Sequence, residues 1–302
     1  IYTDDLVFHQ DVLVVKLLRS PYAFAKIKNI DINRAKKIKG IVDIYTYKDV
    51  PQVRYSESGE SYPDPTPYDR MLLEPIVRYV GDEVAIIVGE DEVAVEKAMK
   101  LVKVEYEVLE PVLDLTKAEG HSSVIHPEDD IFCPFDFGFD GKKNIVSRFE
   151  LGKGDVDKGF ENCDAVIERT YWTQAQAHCM METHRAYSYI DANGRLVVIS
   201  SNQSAYHMRR ETARAIGLPV SKLRFINPRI GGGFGGKNVA LAEPYAAFVT
   251  WKTKRPSKLI YTRKETFAAS TSRHEMKFDV KLGSDKEGNI KAIQIDSINN
   301  TG

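Results

Sequence analysis

The sequence has 302 residues, 43% hydrophobic and 28% charged, which is ordinary globular usage and long enough for about two domains. Its 42 basic and 43 acidic side chains leave a formal net charge of −1, which excludes a wholesale polyanion binder. No run approaches about 18 consecutive apolar residues, so no membrane span is expected, and no basic-then-apolar leader opens the chain.

Cys133, Cys163 and Cys179 lie far apart, with no C-x-x-C pair. That spacing argues against a disulfide framework and against a thiolate-ligated iron–sulfur cluster or zinc knuckle in this chain. Sparse, odd-numbered cysteines fit a reducing, cytoplasmic compartment.

Residues 12–18 (VLVVKLL) read as a buried strand closed by Arg19-Ser20-Pro21, and 27–32 as a second strand. Residues 34–40 read as a short helix ended by Gly40, and 41–47 alternate as a strand. Residues 51–75 carry five prolines and few aliphatics, the mark of a functional or interface loop. EVAIIVG, residues 83–89, is a central strand. Val95, Ala98, Met99 and Val102 then fall on one helical face, with Asp91 able to cap it. Residues 102–109 alternate as a strand, and the Gly- and Pro-rich stretch 115–145 reads as an interdomain connection.

The second half repeats the mixture. Strands are expected at 165–172, 186–191 and 195–200, the last two joined by the turn Ala192-Asn193-Gly194. A helix near 204–216 has Ser204 as its cap and Gly217 with Pro219 at its end. A strand at 223–227, a helix at roughly 240–253 and a strand at 258–262 follow. A hairpin closes the chain around Asp285-Lys286-Glu287-Gly288. Strands mixed with segregated helices make the fold class α+β.

Between a strand and a helix lies Gly231-Gly232-Gly233-Phe234-Gly235-Gly236-Lys237. Such a loop lets backbone N–H groups converge on an anion without Cβ interference, and a helix N-terminus adds its dipole. The loop satisfies G-x-x-x-x-G-K of nucleotide-hydrolase phosphate loops, but Asn238 stands where Ser or Thr would hold magnesium. Gly231, Gly233 and Gly236 also satisfy G-x-G-x-x-G, without the ribose-binding acid about 20 residues on. A close backbone crossing is the third reading.

The run Ile230 to Lys237 resembles the molybdopterin-contacting loop of the molybdenum hydroxylases, the xanthine dehydrogenase and aldehyde oxidase relatives. Gln176-Ala177-His178 followed by Met181-Glu182 resembles their Q-x-H-x-x-[LM]-E segment. Arg78-Tyr79-Val80-Gly81-Asp82-Glu83-Val84-Ala85 resembles the signature of their N-terminal α/β hammerhead domain. Arg19 to Ala23, Gly154 to Phe160, Ser272-Arg273-His274 and Asn300-Thr301-Gly302 match in the same order, so the resemblance spans the chain.

The resemblance implies a hammerhead domain over 1–112, a linker over 113–127 and the N-terminal portion of a molybdopterin-binding domain over 128–302. It implies cofactor contacts from Gln176, Gly232, Gly233, Phe234, Gly235 and Gly236, with no protein side chain ligating the metal directly. The Gln176 amide can donate to a metal-bound group without bringing a charge. Asn238 is a substrate-pocket candidate: xanthine-oxidising members carry Glu there, so this position departs from strict xanthine specificity. The implied reaction is hydroxylation of a purine or another N-heterocycle, with water as the oxygen source. The family's catalytic base is a Glu in a motif absent here and expected beyond Gly302. Implied partners are the remainder of the molybdopterin domain, an iron–sulfur subunit and a FAD subunit, with no nucleic acid and no membrane. An aldehyde-oxidising relative and a non-catalytic assembly module are the alternatives.

Three smaller features complete the reading. His178, Cys179 and His184 are close in sequence but short of a four-ligand zinc pattern. Arg209, Arg210 and Arg214 share a predicted helix, as a solvated face or a phosphate contact. Neither G-x-S-x-G nor H-E-x-x-H occurs, which removes serine-hydrolase and zincin readings.

Overall fold

A computed structural model describes residues 1–6, 9–57 and 61–301; residues 58–60 of the proline-rich loop and Gly302 of the closing motif lie outside the described residues. The strands β1 (Leu13–Arg19), β2 (Ala25–Asp31), β3 (Ile41–Tyr45), β4 (Ile76–Val77) and β5 (Glu83–Gly89) precede helix α1 (Glu92–Met99) and β6 (Lys103–Val108). Helix α2 (Val156–Glu161), β7 (Ala165–Thr173), β8 (Arg185–Ile190) and β9 (Leu196–Ser200) follow. Then come α3 (Ala205–Ala215), β10 (Leu223–Ile226), α4 (Glu243–Thr253), β11 (Ser257–Ile260), α5 (Arg263–Ala268), β12 (Glu275–Ser284) and β13 (Ile290–Asn300).

A seven-stranded sheet in the order β10-β9-β8-β11-β1-β5-β3 forms the centre. β1 lies parallel to β11, with Leu13 opposite Ser257 and Val15 opposite Leu259, so strands from both halves share one sheet. One core follows from this: Leu13, Val15 and Leu17 pack with Tyr245, Ala246 and Phe248. The expected division near 112–128 therefore does not separate two cores. β5 is buried along its whole length, as its unbroken apolar run requires. Two three-stranded sheets, β4-β2-β6 and β13-β12-β7, complete the fold.

Local chemistry explains most boundaries. The Asp91 side chain accepts from the Ala94 N–H at 2.8 Å and starts α1. The helix expected over 34–40 is only a 3-10 turn, Ala35–Lys37, because so short a segment gains too few bonds to offset nucleation. Ser204 precedes α3, but its side chain makes no capping bond. The helix expected from 240 begins at Glu243, with proline in its first turn. The expected linker is folded: Asn144 Nδ2 donates to the carbonyls of Ala118 and Ser123, and its Oδ1 accepts from Ile125 N–H.

The proline-rich stretch is a packed strap. Tyr55, Asp64, Tyr68, Leu72 and Leu73 are buried. The arginines of α3 hold it. Arg210 donates to Asp64 at 2.6 Å, and Arg214 lies 4.2 Å over the Tyr68 ring while donating to the Arg54 carbonyl. Arg209 donates to the Val220 carbonyl. The three guanidinium groups thus bond to protein oxygen atoms, and Arg214 is at the same time exposed to solvent. Asp64, His207 and Glu211 bring ligand atoms within 4.8 Å of one another, but the Arg210 guanidinium already supplies their positive charge.

Candidate cofactor-binding site

The glycine loop runs from β10 toward α4, and the chain holds it at two points. Glu182 Oε2 accepts from Gly231 N–H at 2.8 Å and from Lys237 Nζ at 2.7 Å, while its own N–H donates to the Gly231 carbonyl. Gln203 Oε1 accepts from Gly235 N–H at 3.0 Å and from Lys237 N–H at 3.3 Å, and Gln203 N–H donates to the Lys237 carbonyl. One carboxylate and one amide therefore fix both ends of the loop.

The five glycines divide into two kinds. A Cβ on Gly231 would meet Glu182 Cβ at 2.5 Å, one on Gly233 would collide with Gln203 Oε1, and one on Gly236 would meet Met180 Cε at 2.6 Å. These three permit close packing on the protein body. Gly232 and Gly235 have φ of 92° and 93°, a region that favours glycine. Phe234 also sits at positive φ, 53°, and is 66% exposed. A non-glycine residue held there marks an imposed conformation.

Lys237 is 1% exposed and points inward to Glu182. Burial moves its ammonium below the usual lysine range, against the pull of the Glu182 carboxylate. A phosphate-loop lysine must reach a ligand, so this placement argues against the nucleotide-hydrolase reading. Among the described residues, the N–H groups of Gly232, Gly233 and Phe234 have no acceptor in the chain. Consecutive unused donors on a fixed loop suit an anionic, electron-rich group.

The segment carrying Gln176 borders this loop. Gln176 is exposed and pairs through its backbone with Arg273, at 3.1 and 2.9 Å. Two residues on, the His178 ring faces the loop, with Nδ1 2.8 Å from a Cβ built on Gly236. Burial lowers the His178 imidazole below its usual range. His184 is buried against Tyr261, and burial pushes it down to about 3. The described residues do not gather His178, Cys179 and His184 into a metal site. Asn238 is half-buried directly after the loop. Sequence reasoning singled out the glycines but not Glu182 or Gln203 as their anchors. Glu182 stood in a quoted motif without a role, and Gln203 carried no local signal.

A second buried network is built on β1 and β5. Arg19 donates to Glu83 at 2.7 Å and to Glu265 at 3.3 Å, and lies 4.5 Å over the Tyr261 ring. Arg70 bridges Glu83 at 2.8 Å and Glu57 at 2.6 Å. Burial alone would raise Glu83, but the two guanidinium groups hold it below its ordinary value. Burial pushes Glu57 up to about 7 and Asp82 to about 6.

The sequence profile of the molybdopterin cofactor-binding domain matches residues 138–302, and that of the aldehyde oxidase and xanthine dehydrogenase a/b hammerhead domain matches residues 1–110. The chain is 38% identical over 325 residues to "Probable hypoxanthine oxidase XdhD" of Escherichia coli (strain K12), covering 100% of this chain and 34% of that protein. It is 32% identical to the nicotinate dehydrogenase large molybdopterin subunit of Eubacterium barkeri, covering 97% of this chain and 64% of that protein. The aldehyde oxidoreductase from Desulfovibrio gigas superposes with a TM-score of 0.85 at 23% identity, over 98% of this chain and 32% of that one. The fold and the site thus define a molybdopterin-binding protein, with both expected domain types present in order. The chain belongs to the xanthine dehydrogenase and aldehyde oxidase family of molybdenum hydroxylases. It spans about a third of the first of these relatives and under two thirds of the second.

Proposed function

We propose that this chain is the cofactor-holding part of an enzyme that hydroxylates a purine or related N-heterocycle, using water as oxygen source. The observation that carries the reading is the anchored loop with unused N–H donors at Gly232, Gly233 and Phe234. In this reading those backbone groups, with Gly235, Gly236 and the Gln176 amide, hold the molybdopterin. When bound, the cofactor supplies the redox centre and activates water. The loop orients it through fixed donors, and the positive φ of Phe234 carries its ring onto the exposed side of the loop. Asn238 contributes hydrogen bonds without a carboxylate, which favours a heterocycle other than one requiring an acid at that point. The names of the hypoxanthine and nicotinate relatives support an N-heterocycle. The base Glu and the rest of the molybdopterin domain lie outside these 302 residues, and iron–sulfur and FAD carriers complete a cytoplasmic assembly. Residues 1–112 and 128–302 are the proposed family domains, joined by 113–127 and packed on one shared sheet.

The test is metal analysis of the native assembly, followed by turnover on hypoxanthine, nicotinate and an aldehyde. Stoichiometric molybdenum with heterocycle turnover supports the proposal. Absence of molybdenum from an intact assembly sinks it, and turnover of the aldehyde alone moves the substrate class. Gly233→Ala is expected to lower molybdenum occupancy, because its Cβ collides with Gln203. Asn238→Ala is expected to keep occupancy and change relative kcat/KM among the heterocycles. Unchanged occupancy in the first variant removes the loop from the cofactor site.

A further inference from the structure

The segment between the glycine loop and α4 has no helix or strand to fix it, yet Val239, Ala240, Leu241 and Ala242 are all buried. Its course is therefore set by the partners of its backbone. Ala240 N–H donates to the Glu57 carbonyl at 3.1 Å, and Tyr261 Oη donates to the Leu241 carbonyl at 3.3 Å. Leu241 N–H donates to Glu243 Oε2 at 3.1 Å. Asn238 lies between these contacts and Lys237, whose backbone is tied to Gln203. The two contacts made from distant parts of the chain lead into one ion network. Glu57 accepts from Arg70 at 2.6 Å, and Arg70 also reaches Glu83 at 2.8 Å. Glu83 accepts from Arg19 at 2.7 Å, and Arg19 lies 4.5 Å over the Tyr261 ring. The network thus runs from the residue that holds Ala240 to the residue that holds Leu241. Buried ion networks cost desolvation, and one attested use of them is to specify a single geometry.

We propose that Glu57 is a positioning residue of the substrate pocket: its carboxylate, held by Arg70, sets its carbonyl against Ala240 and so fixes Asn238. The inference rests on the reading of Asn238 as a pocket residue of a molybdenum hydroxylase. Charge on Glu57 tightens the hold, because a charge-assisted bond to a guanidinium is roughly twice as strong as a neutral one. Glu57 faces Tyr55, Asp69 and Arg70 of the strap, Tyr79 and Asp82 before β5, Glu83 at its start, and Tyr261 after β11. Burial pushes Glu57 up to about 7, so the pairing is full above that value and weakens as pH falls through it.

The first test is hydrogen exchange of the native assembly, read by mass spectrometry at Ala240 relative to the buried β8 amides. The ratio cancels the intrinsic pH dependence of exchange and reports local opening. Glu57→Ala is expected to speed exchange at Ala240 about tenfold and to leave β8 unchanged. In the unmodified protein the ratio is expected to rise as pH falls through about 7, and to stay flat in Glu57→Gln, which separates Glu57 from the neighbouring Asp82. An unchanged Ala240, equal acceleration in β8, or a pH step that persists in Glu57→Gln overturns the inference. The second test is kinetics on hypoxanthine and nicotinate. Glu57→Ala is expected to raise KM about tenfold, with a smaller change in kcat and the same molybdenum content. In an Asn238→Ala background it is expected to have no further effect on KM; additive effects overturn the inference. Because exchange is read without turnover, an assembly that lacks molybdenum defeats the functional reading while Ala240 still decides whether Glu57 holds the segment. Molybdenum and turnover with an unchanged Ala240 do the reverse.

Discussion

Lys237 completes a phosphate-loop pattern, yet its ammonium is spent on Glu182 inside the protein. Removing one partner of a buried ion pair leaves an uncompensated charge, at a cost of about 3–5 kcal/mol. Lys237→Met is therefore expected to lose stability on that scale, and the double variant with Glu182→Gln to recover most of it. Urea unfolding of the three proteins checks this; equal losses in single and double variants would show that the pair is not coupled. Glu211 offers a second residue-level test. Burial and the neighbouring Asp64 carboxyl raise it from 4.5 to about 7. The folded chain holds that proton more tightly than the unfolded chain, so its stabilising contribution is full below 4.5 and lost as pH rises through about 7. Glu211→Gln keeps the site neutral, so its stability is expected to fall less than that of the native chain between pH 5 and 8. Urea midpoints at the two pH values decide it, and parallel declines would count against a raised carboxyl. The glycine count pointed to this site, but the division of labour among the glycines was not legible. It depends on Glu182 and Gln203, which lie far away in sequence and meet the loop only after folding.

At the scale of elements, period and caps were informative wherever a segment was long enough. β1, β5, β8 and β9 fall where apolar runs and a turn dipeptide place them. Asp91 caps α1 as its position indicates, and Asp91→Ala is expected to cost about 1 kcal/mol. Amide exchange within Glu92–Met99 should accelerate correspondingly, while β7 remains unchanged. Helices α2 and α5 escaped notice because each has only six residues, too few for a period. α5 did carry a readable signal, Thr262 and Glu265 in a capping box, with Thr262 N–H donating to Glu265 at 2.7 Å. The stretch 51–75 reads as a functional or interface loop from its prolines, and Arg210 and Arg214 of α3 pack against its Asp64 and Tyr68.

At the scale of the molecule, the parallel pairing of β1 with β11 joins the two halves through one sheet and one core. Residues 1–112 expressed alone lose the partners of Leu13, Val15 and Leu17 and are expected to show no cooperative unfolding. The 302-residue chain should unfold with β1 and β11 exchanging their amides together. Calorimetry and hydrogen exchange check both, and a stable isolated 1–112 fragment would make the hammerhead region an independent unit. The contacts of Glu57 and Tyr261 with Ala240 and Leu241 belong to the same scale, since only the folded chain brings them together.

Periodicity, turn chemistry and the ordered motifs determined, from sequence alone, the α+β class, most strands, the main helices and the family resemblance that the domain profiles bear out. Those features are local, set by side-chain period and backbone freedom within about ten residues. Tertiary structure alone decided which side chains anchor the glycine loop, that Lys237 turns inward, that the α3 arginines grip the strap, and that both halves share a core. Each depends on contacts between residues distant in the chain, where burial and charge pairing override local preference.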